Sequence, residues 1–149
     1  MRWIVLLREP VERAISQYQM ERARGDEQWP LWAALAFERW RLRGHWDDWS
    51  PGSPLRHWSY RARGGYAAQL RMLRLNFPES QILVIHNPDL RSQHSLVLTR
   101  VCRFLSIPDF SPMPSPITAF EGEAAPVSAA TRWVAAYLLR RESRDYQAM

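Results

Sequence analysis

The stretch that decides the fold is residues 3–18, which read WIVLLREPVERAISQY. Residues 3–7 form a continuous apolar run with β-branched members, and this pattern predicts a strand buried on both faces of a parallel sheet. Pro10 stands where a helix can begin, because proline is tolerated in the first turn. Apolar side chains then recur at helical spacing: Val11, Ala14, Ile15 and Tyr18. The chain is therefore predicted to open with a strand, a short turn and a helix.

The rest of the chain continues the alternation of strands and helices. Further helices are predicted at Pro30–Arg43 with a buried Leu31, Trp32, Leu35 and Trp40, at Tyr66–Phe77, after a Ser92 cap, and at Ser128–Arg141. A second buried strand is predicted at Ile82–Ile85, a long loop at residues 45–62, and a proline-rich connector at 108–126. This order predicts an α/β fold with a parallel sheet. Two strands are too few for such a sheet, so further strands are expected from elsewhere.

Composition narrows the class of protein. The chain has 149 residues, enough for one domain with its own core, and no apolar run that could span a bilayer or serve as a signal peptide. A cytoplasmic protein without a membrane partner is therefore expected. Cys102 is the only cysteine and is predicted to be a buried, inert thiol, and the four histidines show no metal-ligand spacing. No metal site is predicted.

The basic residues favour an anionic ligand. Net charge is +5, and all 20 basic residues are arginines, whose planar fork binds phosphate and sulfate in a bidentate manner. Arg8 follows the first predicted strand, at the end of the strand where open α/β sheets bind their ligands. Ser16 lies about two turns into the next helix, so the two side chains could converge on one phosphate near the helix N-terminal amides. A solvated strand-end arginine and a serine bonded to its own backbone would give the same pattern.

The Arg8–Ser16 segment resembles the 3′-phosphate-binding motif of the sulfotransferases that use 3′-phosphoadenosine 5′-phosphosulfate (PAPS). That motif is an apolar strand, Arg-x-Pro, and a serine eight residues after the arginine. The resemblance continues in order through 63–70 (RGGYAAQL), 76–78 (NFP), 81–84 (QILV), 88–90 (PDL) and 101–108 (VCRFLSIP). It covers nearly the whole chain and is closer to the carbohydrate-type and bacterial members than to the phenol and steroid type.

The resemblance implies a fold and a cofactor site. The fold is a three-layer, P-loop-NTPase-like sulfotransferase domain over residues 1–149, in which Arg8 and Ser16 bind the 3′-phosphate of PAPS or of adenosine 3′,5′-bisphosphate. Arg63 is a weaker candidate for contact with an anionic substrate, and a surface arginine without a role is the preferred alternative. The tryptophans at 46, 49 and 58 are candidates for stacking on sugar rings, although anchoring their loop against the domain is the preferred reading. The implied reaction transfers a sulfuryl group to a hydroxyl or amine, with a carbohydrate as the expected acceptor.

The sequence also departs from the family pattern. No glycine-containing loop for the 5′-phosphosulfate precedes Arg8, and neither that loop's cation nor the family's general base has a counterpart here. The expectation is an amino-terminally truncated domain, with no catalytic residue assigned and its status as an enzyme left open. The alternatives are a non-catalytic nucleotide-binding or interaction module of the same fold, an Arg-rich nucleic-acid-binding protein, and a nucleotide kinase relative. The arginines are scattered among acidic residues, so nucleic acid ranks last.

Overall fold

A computed structural model describes residues 1–117 and 127–149. The chain divides into two units, each with its own contacts. The first unit contains Met1–Arg8 and the described residues from Ala68 to Ile117. The second contains Glu9–Ala67 and the described residues from Val127 to Met149. The helix at Tyr66–Asn76 crosses the boundary between the two ranges.

The first unit is built on a small parallel sheet. Strand β1 (Trp3–Leu7) pairs with β2 (Ile82–His86) in the register Trp3 to Ile82 through Leu7 to His86. Both strands fall where the sequence predicts them. Parallel neighbours need a long crossover connection, and here the connection runs through the second unit and α5 (Tyr66–Asn76). Within the described residues the sheet has these two strands alone. A two-stranded sheet does not establish the predicted three-layer fold.

The prediction that β1 is buried on both faces is wrong for the described chain. Ile4 is 42% exposed and Leu6 is 52% exposed, whereas Leu7 is buried. Strand side chains alternate between faces, so one face of β1 is open in these residues. On β2, Leu83 and Ile85 pack against Val97 and its neighbours on the following helices.

Two helices complete the first unit. They are α6 (Asn87–Ser92) and α7 (His94–Leu105). The predicted Ser92 cap is wrong, because Ser92 ends α6, while Gln93 precedes α7 without a side-chain cap. Val97 is buried, and Cys102 is buried as predicted. Part of the predicted 108–126 connector lies outside the described residues.

The second unit is helical. It begins with α1 (Pro10–Arg24), which starts at the predicted proline and ends at Gly25, whose φ of +84° suits a residue without a Cβ. The predicted Pro30–Arg43 helix is instead two short helices, α2 (Leu31–Ala36) and α3 (Glu38–Arg41). The predicted 45–62 loop contains α4 (Pro54–Trp58) and leads into a 3₁₀ turn at Ala62–Gly64. The predicted Ser128–Arg141 helix is also two: α8 (Ala129–Leu138) and α9 (Arg140–Gln147).

The core of the second unit combines apolar and charged side chains. Its buried apolar residues come from α1, α2, α8 and the segment around Tyr60: Val11, Ala14, Ile15, Leu31, Ala34, Leu35, Tyr60, Ala135 and Leu139. Three carboxylates, Glu21, Glu27 and Glu38, are each only 2% exposed. The predicted stripe on α2 and α3 is corrected in part, because Trp32 is 52% and Trp40 is 67% exposed. These tryptophans face outward beside a core that buries carboxylates.

Candidate functional site

Arg8 directly follows β1, at the carboxyl end of the strand as the sequence predicts. Arg8 is half-buried. Among residues 1–117 and 127–149 its guanidinium makes no hydrogen bond or ion pair with the protein. A guanidinium held at a strand end without an internal carboxylate keeps its donors for an external anion.

Ser16 lies in the second turn of α1 and is also half-buried. In the part of the chain that the structure describes, its hydroxyl has no side-chain hydrogen bond. Arg8 belongs to the first unit and Ser16 to the second. Their convergence on one phosphate therefore stays a prediction.

The N-terminus of α1 is capped by an acidic side chain. Glu9 is the N-cap residue, and its Oε2 accepts a hydrogen bond from the Glu12 backbone N–H at 2.9 Å. The other carboxylate oxygen, Oε1, accepts from the Ser143 hydroxyl at 2.8 Å. A carboxylate of the chain therefore already caps one of these amides and brings like charge, and the expectation that the helix amides help to bind a phosphate stays a prediction.

Arg63 lies in the 3₁₀ turn at Ala62–Gly64 and is exposed. Its Nη2 donates to the Arg56 carbonyl oxygen at 2.9 Å, which ties the side chain to α4. The turn itself is fixed by Glu38, whose carboxylate accepts the backbone N–H groups of Arg61 at 2.5 Å and Ala62 at 2.8 Å. Burial raises the pKa of Glu38 despite these two bonds.

The sequence analysis missed a pocket in the second unit. The cavity measures about 410 Å³ and is called the aromatic pocket below; its lining residues are Asp26, Glu27, Gln28, Trp29, Trp40, Arg41 and Trp58. Trp29 and Trp40 stack with ring centroids 6.3 Å apart and planes 18° apart. The run Asp26–Trp29 sits between Gly25 and Pro30, a loop signal that could have directed attention to it. The pairing of this loop with residues around 40 and 58 has no local sequence signal.

Arg41 is the centre of the aromatic pocket. Its guanidinium lies 4.7 Å from the Trp29 ring centroid and 4.1 Å from that of Trp58, so it is sandwiched between two indoles. Its Nη1 lies 2.7 Å from Glu27 Oε2 and its Nη2 lies 3.3 Å from Oε1. The Arg41 side chain is 6% exposed and that of Glu27 is fully buried. Arg41 is therefore bound internally and is unavailable to an anion.

Glu27 connects the pocket to the core of the unit. Its carboxylate also accepts from the Tyr60 hydroxyl at 2.8 Å and from the Trp29 backbone N–H at 2.9 Å. Burial alone would raise the pKa of Glu27, but hydrogen bonds from Arg41, Trp29 and Tyr60 outweigh it and hold that pKa below its ordinary value. The pKa of Tyr60 is raised by burial and by the bond to Glu27. Glu27 and Arg41 thus form an ion pair, and the Glu27 carboxylate is also hydrogen-bonded to Trp29 and Tyr60.

His57 forms a second polar cluster with Glu21 and Asp26. His57 Nδ1 lies 2.8 Å from Glu21 Oε2 and 3.7 Å from Asp26 Oδ2, and its Nε2 lies 3.0 Å from the Pro51 carbonyl oxygen. Both ring nitrogens face oxygen acceptors, an arrangement that favours the doubly protonated imidazolium. The hydrogen bond to Glu21 is the main cause that raises the pKa of His57, against desolvation.

The same cluster is the one place in the described residues where three side chains that could bind a metal meet, with ligand atoms within 4.8 Å of one another. Sequence spacing gave no sign of it, because Glu21 and His57 are far apart in the chain. An imidazolium between two carboxylates accounts for the short distances without an ion. The cluster is therefore interpreted as an ion-paired support for α1 and α4.

Of the three tryptophans predicted to stack on sugars, the structure brings Trp58 alone to the aromatic pocket. Trp46 and Trp49 are 48% and 68% exposed in the segment before α4 and do not line this cavity. Trp58 Nε1 donates to the Asp26 carbonyl oxygen at 3.0 Å. That bond holds the loop after α1 against α4.

No family model matches the chain, and no curated protein matches it. Among described residues, no helix has the length and apolar character that crossing a membrane requires.

A solved structure of a sulfotransferase from Alicyclobacillus acidocaldarius does match. The TM-score is 0.74 at 26% sequence identity, and the alignment covers 99% of this chain. It covers 53% of that protein, so the chain spans about half the length of the structure that it matches. The mixture of helices with a small parallel sheet is therefore a sulfotransferase-like arrangement.

Proposed function

We propose that this chain is the nucleotide-binding part of a PAPS-dependent sulfotransferase whose acceptor is a hydroxyl or amine on a carbohydrate. The observation that carries the proposal is the likeness to a sulfotransferase over 99% of the chain. The position of Arg8 after β1 and of Ser16 in α1 supports the same reading. The proposed complete fold is a three-layer, P-loop-NTPase-like sheet to which β1 and β2 contribute two strands.

The donor set fits a 3′-phosphate. Arg8 offers a fork of N–H donors with no internal carboxylate among the described residues, and Ser16 offers a hydroxyl with no internal side-chain partner there. Glu9 lies between them in sequence and adds an opposing negative charge, partly offset because its carboxylate is bonded to the Glu12 N–H and the Ser143 hydroxyl. PAPS supplies the sulfuryl group when bound. Arg8 and Ser16 anchor the far end of that molecule and orient it.

The chemical step needs cations, amides and a base to which no residue of this chain is assigned. Sulfuryl transfer is an in-line displacement that resembles phosphoryl transfer, so cations and amides at the transferred group provide most of the stabilisation. A base must also remove the acceptor's proton. Arg8 and Ser16 serve neither purpose. Arg63 stays a candidate for contact with an anionic acceptor.

Two other functions remain as alternatives. A non-catalytic nucleotide-binding module of the same fold would retain the phosphate site without the reaction. A nucleic-acid-binding role needs open arginines, and several are committed to carboxylates: Arg41 to Glu27, Arg61 to Glu142, Arg74 to Glu79 and Arg132 to Glu12. This pairing weakens the nucleic-acid alternative.

The first test is calorimetric titration of the 149-residue chain with adenosine 3′,5′-bisphosphate, with AMP as the control ligand. We expect preference for the bisphosphate. Because a charge-assisted pair is worth more than a neutral hydrogen bond, Arg8→Ala should lower that affinity by about hundredfold and Ser16→Ala by about fivefold. The matched control is Arg71→Ala, which removes an exposed arginine of α5 and the same charge.

The outcomes separate the alternatives. Equal losses in the Arg8 and Arg71 variants would reduce the effect to net charge and contradict the site. Wild-type binding of AMP and bisphosphate with one affinity would contradict the 3′-phosphate assignment. Specific binding of the bisphosphate without transfer of a sulfuryl group from PAPS to a carbohydrate would favour the non-catalytic module.

A further inference from the structure

We propose that the aromatic pocket of the second unit is a saccharide-binding site that takes a sugar ring carrying an amine. The ring would stack on the exposed indole of Trp40, and the amine and hydroxyls would meet the carboxylate of Asp26. Binding at this pocket does not require the nucleotide site of Arg8 and Ser16. Only the further step of calling the bound saccharide the acceptor rests on the proposed function.

The pocket is preorganised by groups that a ligand would not disturb. Arg41 fills the space between Trp29 and Trp58 and is fixed by its bidentate contact with buried Glu27. The Tyr18 hydroxyl donates to the Trp29 carbonyl oxygen at 2.9 Å. Because these bonds already fix the loop, binding would order few side chains, and this favours affinity.

The apolar wall of the pocket is open and aromatic. Trp40 is 67% exposed and Trp29 is 37% exposed, although both rings are stacked on each other. Phe37 extends the patch, with its ring 6.2 Å from Trp29 in an edge-to-face arrangement, and it is 49% exposed. Exposed aromatic rings gathered in one place mark a binding surface. The flat C–H face of a pyranose ring suits an indole platform.

The polar groups of the pocket decide the charge of the ligand. Arg41 neutralises Glu27, and the imidazolium of His57 is closest to Glu21, at 2.8 Å. Glu21 also lies 4.0 Å from Arg24, and Asp26 lies 3.7 Å from His57. Asp26, whose side chain is 45% exposed, is the carboxylate of the lining that a ligand can reach. A cationic or neutral sugar is therefore favoured over a uronic acid or an already sulfated sugar.

A cavity of about 410 Å³ that combines three tryptophans with polar and charged side chains is of the size expected for a small-ligand site. Gln28 adds an exposed amide, which both donates and accepts hydrogen bonds as a sugar hydroxyl does. Among the lining residues Arg41 is the one cation, and it is paired with Glu27, so a phosphate or sulfate group meets no unpaired cation of the lining. The lining thus combines an apolar platform with acceptors, as an amino sugar requires.

The test is calorimetric titration of the full 149-residue chain with a β-1,4-linked glucosamine disaccharide, compared with cellobiose as the neutral probe and glucuronic acid as the anionic probe. We expect affinity to fall in that order. Trp40→Ala should weaken disaccharide binding by about tenfold. Trp133→Ala is the matched control, because Trp133 is 69% exposed and stacks on Tyr137 at 6.0 Å, yet lies on α8 away from the pocket lining.

A second variant tests the choice of an amine. Asp26→Asn should bring the affinity for the glucosamine disaccharide down to that for cellobiose while leaving cellobiose binding unchanged. The proposal is overturned if the folded chain binds neither disaccharide, if Trp40→Ala and Trp133→Ala have equal effects, or if adenosine or a quaternary ammonium displaces the sugar with higher affinity. Arg8→Ala should leave disaccharide binding intact, and Trp40→Ala should leave bisphosphate binding intact, so failure of this site is distinguishable from failure of the nucleotide site.

Discussion

The two units of the chain bury different kinds of side chain. The first unit packs aliphatic residues of β2 against α7 and leaves one face of β1 open in the described residues. The second unit buries three glutamates, and each is matched by hydrogen bonds: Glu21 with His57, Glu27 with Arg41 and Tyr60, Glu38 with the amides of residues 61 and 62. Polar networks of this kind fix loop positions, because each partner is costly to leave unpaired. The second unit is thus the one built to hold a surface pocket in place.

The largest effect is expected where a buried charge loses its partner. Glu27→Ala should lower the free energy of unfolding by about 3–5 kcal/mol, because it leaves the guanidinium of Arg41 uncompensated. Urea denaturation measures this. The matched control is Glu79→Ala, which breaks an exposed pair with Arg74 whose glutamate side chain is 67% exposed, and should cost about 1 kcal/mol or less. A Glu27 variant as stable as the Glu79 variant would contradict the contrast between the units.

In the first unit the expected effects depend on which side of the sheet a residue lies. Ile85→Ala should lower the free energy of unfolding by about 2–4 kcal/mol, since Ile85 is 5% exposed and packs in the β2–α7 core. Ile4→Ala, on the partly open strand, should cost about 1 kcal/mol because much of its surface is already in water. Urea denaturation of both variants checks this difference. Equal losses would mean that the open face of β1 is covered in solution.

The smallest effect is a pH dependence from His57. Its pKa is raised in the folded chain, so its contribution to stability is fully present below the ordinary value of 6.5 and is lost as pH rises through the raised pKa. The difference in unfolding free energy between the wild type and His57→Gln should therefore shrink as the pH is raised above 6.5. Denaturation at a series of pH values measures it. A difference that grows with pH would contradict the imidazolium assignment.

Local pattern was sufficient for the two strands and the start of α1, but not for the breaks between short helices or for the charged core. The two strands, the start of α1 at Pro10 and the end of α5 before Pro78 follow from apolar periodicity and from these prolines, which are local signals. The same periodicity joined α2 to α3 across Phe37, because spacing alone does not reveal a break after the sixth residue of a short helix. The same periodicity also predicted a buried Trp40, which is 67% exposed in the structure.

The aromatic pocket could not be predicted because its partners are distant in sequence. Glu27 contacts Arg41, 14 residues away, and Tyr60, 33 residues away. Each residue alone resembles an ordinary surface charge or core tyrosine, and only the folded chain brings them together. Arg8 and Ser16, by contrast, were identified because their spacing is local and matches a family motif, although their joint action stays a prediction.

The hydrogen bond between Ser143 and Glu9 has a practical consequence for anyone who edits this chain. The polar carboxyl-terminal segment forms α9. Its Ser143 hydroxyl donates a hydrogen bond to the carboxylate of Glu9, the N-cap residue of α1, which directly follows Arg8. Removing the final ten residues would leave Oε1 of Glu9 without the hydrogen bond from Ser143. Purification tags and shortened versions should therefore be designed to leave the last helix whole.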